Sequence, residues 1–181
     1  MPKPQRFSLL VLFLFFALHS SATHPQVSGE RDSGSPDVET LNFKEWTVRC
    51  VQNQAGGDKN CAMLQRLNLK SGQRLLTVQL RRQTLKQEDG VRANILVFTV
   101  PWGVHLKQGV EFNVDDGEPQ TIAYERCDPN GCYAGLIVDD SVLSSMLKGS
   151  EAKVRFVEPA GRALTVTVSL MGFTAAYRNL P

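Results

Sequence analysis

The chain of 181 residues has few of the side chains that enzymes use for nucleophilic or acid–base chemistry. It has three histidines, and His105 alone lies beyond residue 24. No glycine-rich phosphate loop is present, and the run from Ser141 to Ser145 has no nucleophile-elbow glycines around it. The sequence therefore predicts no catalytic residue and no cofactor, and we expect a protein that is not an enzyme.

Carboxylates offer an alternative to this interpretation. Asp115, Asp116 and Glu118 surround Gly117, and paired acids at such a place can serve a hydrolase. A turn between two strands, however, favours the same Asp-Gly residues for backbone reasons. We expect a hairpin turn here and keep a carboxylate-dependent hydrolase as the alternative.

The chain without residues 1–22 also lacks a net charge. Residues 1–22 hold Lys3 and Arg6 of the 20 basic residues and none of the 18 acidic residues. The remaining chain then has 18 residues of each sign and is formally neutral. Nothing in the overall charge attracts nucleic acid or an anionic membrane, so no nucleic-acid partner is expected.

Long apolar runs are absent after the N-terminus, which itself has the features of a secretory signal peptide. Eleven of the twelve residues from 7 to 18 are apolar, two basic residues precede them, and Ser20 and Ala22 follow as small residues. A retained anchor is the alternative, but twelve helical residues span about 18 Å of a hydrocarbon core of about 30 Å. We expect cleavage after Ala22, a periplasmic or secreted mature chain and no integral membrane span.

The mature chain divides into a leader and one domain. Residues 23–40 are rich in Ser, Gly, Pro and charge, which predicts a flexible leader. From Leu41 to residue 181, apolar residues alternate in short runs separated by turn residues, a pattern typical of strands. The expected strands include 46–50, 62–64, 76–80, 93–100 (buried on both faces), 110–114, 120–126, 133–138, 152–156 and 164–168.

Apolar residues recur at helical spacing in two places. The first follows Asp139 or Asp140, either of which can cap a helix, and the second runs from Phe173 to Leu180. About nine short strands with two short helices predict an all-β fold, an antiparallel β-sandwich formed by the domain 41–181.

The four cysteines allow three pairings. Behind a signal peptide, the two local pairs, Cys50 with Cys61 and Cys127 with Cys132, are each expected to close a turn between strands as a disulfide. Zinc sites prefer C-x2-C pairs, so a metal site is not expected. The tetrapeptide Asp128-Pro129-Asn130-Gly131 inside the second pair predicts a tight turn that fixes the register of a hairpin.

The loop from Val100 to Val110 is where we expect a binding surface. Trp102 follows a proline at the end of a strand, so it either covers the core or stands out as an anchor. As an anchor it would form an exposed patch with Val104 and His105, and Lys107 would supply a cationic rim.

Several segments in order resemble the invasion-associated locus B family of bacterial envelope proteins. They are W-T-V-R-C at 46–50, the cysteine at 61, V-P-W-G-V at 100–104, K-Q-G-V at 107–110, R-C-D-P-N-G-C-Y-A at 126–134 and G-F-T-A-A-Y at 172–177. The resemblance covers residues 41–178. It implies a periplasmic or secreted protein, linked in pathogenic members to host-cell invasion, with no established catalytic residues.

Together these features favour an exported, non-enzymatic envelope protein that acts as a binding or adhesion module for an unidentified protein partner at the cell envelope or host surface. A general role in envelope maintenance is the alternative, as is an inhibitor or chaperone-like protein that uses an exposed sheet edge.

Overall fold

The computed structural model of the chain describes residues 37–52, 59–85 and 90–181. The expected signal peptide, residues 23–36 of the expected leader and the loop at 55–58 lie outside the described residues. The first strand begins at Val38, three residues before the expected start of the domain. Its side chains are largely exposed, so the hydrophobic pattern does not mark it, and hydrogen bonds to the next strand hold it.

Within the described residues the fold has eleven strands, two α-helices and a short 3-10 turn at Leu106–Gln108. The strands and helices are β1 (Val38–Phe43), β2 (Trp46–Val51), β3 (Asn60–Asn68), β4 (Arg74–Thr84), β5 (Arg92–Val100), β6 (Val110–Val114), β7 (Gln120–Ile122), β8 (Tyr124–Asp128), β9 (Gly131–Val138), α1 (Asp140–Lys148), β10 (Glu151–Val157), β11 (Ala163–Ser169) and α2 (Phe173–Arg178). The sequence predicts about nine strands. The count rises because β1 is added and because the strand expected at 120–126 is broken at Ala123.

The strands form two antiparallel sheets that pack on one core. The larger sheet has the order β1-β2-β3-β4-β5-β9-β8, and the smaller has the order β11-β10-β6-β7. Phe98 of β5 contacts Phe112 of β6 across the interface, with ring centroids 5.1 Å apart, and both side chains are fully buried. The predicted all-β antiparallel sandwich is confirmed, and β7 and β8 lie in different sheets.

Strand β5 is buried on one face only, and the prediction of two buried faces is wrong. Leu96, Phe98 and Val100 are buried, whereas the alternate residues Ile95 and Val97 are half-buried. An antiparallel sheet needs to bury one face only, so a continuous apolar run does not require a second covering layer.

Both expected helices are present. Asp139 caps α1, because its Oδ1 accepts the N–H of Val142 at 2.8 Å. Helix α2 closes one end of the core, where the ring of Phe173 meets that of Trp46 edge-on at 5.0 Å. Neither helix of the described residues is long and apolar enough to cross a membrane.

Tyr124 generates a prediction about alkaline stability. Its hydroxyl oxygen is buried and has no hydrogen-bond partner in the described part of the chain. Burial raises the pKa of Tyr124 to about 12. The unfolded chain therefore loses this proton first, and the contribution of the neutral phenol to stability is present below about pH 10 and disappears as the pH rises towards 12.

We expect Tyr124→Phe to equal the parent in stability at pH 7, or to exceed it by up to ~1 kcal/mol, and to lose less stability between pH 9 and 11.5. Urea denaturation at several pH values measures this. Tyr177→Phe is the control, since it removes a hydroxyl that donates to Asn94 at 3.3 Å and should lower stability at pH 7. A Tyr124→Phe protein that is clearly less stable than the parent at pH 7 would contradict the account.

Candidate functional site

Strand register places the Trp102 loop beside one of the disulfides. In the ladder between β5 and β9, Val100 lies opposite Cys132. In the ladder between β8 and β9, Cys132 in turn lies opposite Cys127, to which it is bonded. The chain leaves β5 directly after Val100 at Pro101, so Trp102 emerges from the sheet next to this disulfide.

Both predicted disulfides are formed, and each joins a directly opposed cross-strand pair. Cys50 faces Cys61 between β2 and β3, as Cys127 faces Cys132 between β8 and β9. The Cα atoms of each pair are 4.0 Å apart. All four cysteines are therefore bonded, and none is left as a thiol.

The carboxylate of Asp128 organises the hairpin turn beside the disulfide. Its Oδ1 accepts the N–H of Asn130 at 2.7 Å and the hydroxyl of Tyr133 at 3.1 Å, and its Oδ2 accepts the guanidinium of Arg126 at 2.8 Å. The Asn130 amide is the main reason that the pKa of Asp128 lies below its usual range; partial desolvation opposes it, while Arg126 and Tyr133 add to the lowering. The Arg126 guanidinium also lies 3.9 Å above the centroid of the Tyr133 ring.

Residues of β4 and β5 also contact this turn. Arg74 of β4 donates to the carbonyl of Asn130 at 2.6 Å. Gly131 has a φ of 145°, and a Cβ at this position would collide with the carbonyl oxygen of Val100. A glycine is therefore required at 131 because another strand approaches closely, in addition to the requirements of the turn itself.

The loop between β5 and β6 meets the smaller sheet at two places, His105 in the middle of the loop and Gly109 at its end. The N–H of His105 donates to the carbonyl of Val157 in β10 at 3.0 Å. Gly109 has a φ of 66°, and a Cβ there would lie 2.5 Å from the carbonyl oxygen of Ile122. Val104, the residue before His105, is buried. The backbone of the loop is thus fixed, while Trp102 remains outside the core.

A groove of about 610 Å³ lies between this loop and the disulfide hairpin. It is lined by Trp102, Gly103, Val104, Leu106, Cys127, Asp128, Pro129 and Cys132. Trp102 is 71% exposed and Leu106 is 55% exposed. Trp102 therefore does not cover the core, and the groove has the size and mostly apolar lining of a ligand site.

The structure brings together part of the predicted binding set. Trp102 and Val104 both line the groove, but Val104 is buried and forms part of its floor, so it is not in the exposed patch that the sequence predicts. His105 and Lys107 are exposed on the loop and do not line the groove. Leu106 is a lining residue that the sequence analysis missed, because its outward direction results from the 3-10 turn.

In the turn that contains Asp115, Asp116 and Glu118, the carboxylate of Asp115 has a structural role. Asp115 Oδ1 accepts the backbone N–H groups of Ser150 and Glu151 at 3.0 and 3.1 Å, which ties the hairpin to the start of β10. The side chain of Asp116 extends into solvent, 3.8 Å from Lys153 Nζ, and Glu118 is exposed. The Asp115 carboxylate is therefore already occupied by the backbone of its own chain.

The sequence model of the family described as invasion associated locus B (IalB) protein matches residues 46–181. The chain belongs to this family. The matched residues include both disulfides and every residue that lines the groove. The resemblance noted from the sequence is confirmed.

Individual relatives agree with this assignment. Invasion protein B of Bartonella bacilliformis is 26% identical over 187 aligned positions, which cover 96% of this chain and 95% of the relative. An invasion protein B homolog of Brucella abortus is 27% identical over 136 residues, 74% of each chain. The crystal structure of invasion associated protein B from Bartonella henselae superposes with a TM-score of 0.64 at 22% identity, over 77% of this chain and 92% of that one, and shows the shared fold.

The two disulfides differ in access to solvent, which predicts a difference in reactivity. Cys127 is exposed and lines the groove, whereas Cys50 and Cys61 are both buried. Reduction begins with attack of a thiolate on an accessible sulfur. Under native conditions we expect dithiothreitol to reduce the bridge between Cys127 and Cys132 at least ~10-fold faster than the other, since Cys127 is exposed whereas both cysteines of the other bridge are buried.

Alkylation of the released thiols at timed intervals, followed by peptide mapping, measures the two rates. The same reaction in guanidinium chloride is the control, because unfolding removes the difference in access. Faster native reduction of the buried bridge would refute the prediction.

Proposed function

We propose that this chain is an exported, periplasmic or secreted binding module of the bacterial envelope that contributes to host-cell invasion, and that it contacts a protein partner through the groove of Trp102 and the Cys127–Cys132 hairpin. The observation that carries the proposal is the exposure of 71% of the Trp102 side chain beside an apolar groove. A tryptophan is costly to leave in water, and it is among the residues that dominate the binding energy of interfaces.

The rigidity of the groove supports a binding role. Hydrogen bonds from Asn130 and Tyr133 to Asp128 hold one wall, and the backbone bond from His105 to Val157 holds the other. Such a preformed surface loses little conformational entropy when a partner binds, so more of the contact energy appears as affinity.

The composition of the groove suits an apolar segment of a protein. Trp102, Leu106 and Pro129 offer apolar contacts, and Asp128 with Arg126 supplies a polar rim in which both charges are already paired. A partner that inserts an apolar side chain would leave no buried charge unpaired here.

The family gives the biological setting of the proposal. The curated relatives from Brucella and Bartonella are named as invasion proteins, and the association with invasion is carried over to this chain on that basis. Two disulfides and the signal-like N-terminus support export, since disulfides persist in oxidising compartments.

Binding without catalysis is part of the same proposal. His105 is exposed and does not line the groove, and Asp115 is held by two backbone N–H groups. Among the residues lining the groove, Asp128 has the one ionisable side chain, and it is bonded to Arg126, Tyr133 and Asn130.

Trp102→Ala tests the role of the groove. The mature, oxidised protein would be used to capture partners from envelope and host-membrane fractions with crosslinking, and the affinity for the recovered partner would then be measured. We expect Trp102→Ala to weaken this affinity by roughly 30-fold, the effect of losing a hot-spot residue worth about 2 kcal/mol. Its unfolding free energy should stay within ~0.5 kcal/mol of the parent, because the side chain is exposed.

Met171→Ala is the matched control, since Met171 is also a large exposed apolar residue, 56% accessible, and does not line the groove. It should bind as the parent does. The proposal fails if Trp102→Ala binds with unchanged affinity, or if it unfolds with a loss of about 3–5 kcal/mol, as truncation of a core aromatic would.

A further inference from the structure

Strand β11 forms an edge of the smaller sheet and lacks the features that usually prevent an edge strand from pairing with a strand of another molecule. Its sequence, A-L-T-V-T-V-S, contains no charged residue, no proline and no glycine. It pairs with β10 on one side only. Natural edge strands are usually kept apart by charges, prolines, bulges or short length, and a long neutral edge is a template for another strand.

The hydrogen bonds of Ser169 show which backbone groups of β11 face outward. Its N–H donates to Gln65 Oε1 at 3.2 Å, and its carbonyl accepts from Trp46 Nε1 and Gln65 Nε2, each at 2.9 Å. The next residue, Leu170, donates to Ser150 on the β10 side at 3.0 Å.

Because backbone groups alternate in direction along an antiparallel strand, Thr167 and Thr165 face outward like Ser169. In the described part of the chain their outward N–H and carbonyl groups have no backbone partner. The open edge therefore consists of the middle and first part of β11, while Trp46 and Gln65 occupy its end.

The remaining edges of the two sheets are less suitable for pairing. Strand β8 has an irregular register between Tyr124 and Arg126 and carries several charges, and β7 has three residues. Strand β1 is exposed on both faces, so a strand added beside it would have no core beneath it. Beneath β11, in contrast, Val166 and Val168 are buried.

We propose that β11 pairs antiparallel with β11 of a second copy of this chain, about a two-fold axis at Thr165, so that two four-stranded sheets become one sheet of eight strands. In this register Thr165 faces Thr165 of the second copy and Ala163 faces Thr167. The exposed threonines form cross-strand contacts, a favourable pairing on a sheet surface. The same patch serves both copies, as a closed dimer requires, and the occupied Ser169 end stays outside the pairing.

Charge permits this self-pairing. The nearest cations on the exposed face are Lys153 and Arg155 of β10, which lie beside Thr167 and Thr165. In the joined sheet the two β10 strands are three strand spacings apart, about 14 Å, which exceeds the screening length of about 8 Å at physiological salt. The inference does not depend on the proposed function.

Sedimentation velocity of the mature, oxidised chain over a range of concentrations tests the dimer. We expect the parent and Thr167→Val to dimerise, since valine keeps the β-branched shape and the outward N–H. Thr167→Pro removes that N–H without removing a bond to β10, so the monomer should fold while the dimer dissociation constant rises at least ~10-fold. Near-UV circular dichroism and disulfide mapping check that the variant is folded.

Thr165→Lys is the second variant, and it tests the dimer even if the proline variant does not fold. It places two lysines opposite each other at the axis, so the dimer should dissociate at low salt and recover at 1 M salt, where charges are screened within about 3 Å. A parent that is monomeric at every concentration overturns the inference. A dimer that neither Thr165→Lys nor the folded Thr167→Pro protein weakens overturns it as well.

Discussion

The groove depends on one strand register, in which Val100 of β5 lies opposite Cys132 of β9. This pairing decides that the chain leaves β5 beside the disulfide, and it brings the carbonyl of Val100 so close to position 131 that a glycine is required there. A shift by one residue would move every side chain of β9 to the opposite face of the sheet, with Ala134 and Val138 in water. The bond between Cys127 and Cys132 then attaches β8 to the same register.

The groove also lies where the chain crosses between the sheets. The loop after Val100 leads from the larger sheet to β6 of the smaller one, and the chain returns at Ala123, between β7 and β8. A loop that bridges two packed sheets can be fixed by backbone contacts on both sides, as the ladder at Val100 and the bond of His105 fix this one, while a residue between them projects outward. The exposed Trp102 is thus a consequence of a rigid crossing.

Local sequence signals account for the features that were predicted correctly. The turn at 128–131, the cap at Asp139 and both disulfides each involve residues near one another in the chain, so their chemistry is visible in a short segment. The family assignment, which the sequence motifs already indicated, is confirmed by the family model that matches residues 46–181.

The errors concern features that the local pattern of apolar residues does not mark. Strand β1 has few buried side chains, so only its ladder with β2 reveals it. The break at Ala123 depends on which sheet each half joins. Sequence could not decide whether Trp102 covers the core, because that depends on Val104 filling the space below the loop; nor could it show that Leu106 would face the groove.

Tryptophan fluorescence tests the central claim, that the register holds Trp102 outside the core, most directly. The chain has two tryptophans, and Trp46 is fully buried against Phe173. In the folded protein, iodide should quench only the long-wavelength part of the emission, which comes from Trp102. The Trp102→Phe variant should lack this part and show only the blue emission of Trp46, which iodide does not quench. Emission from the parent that is blue and inaccessible to iodide throughout would contradict the account.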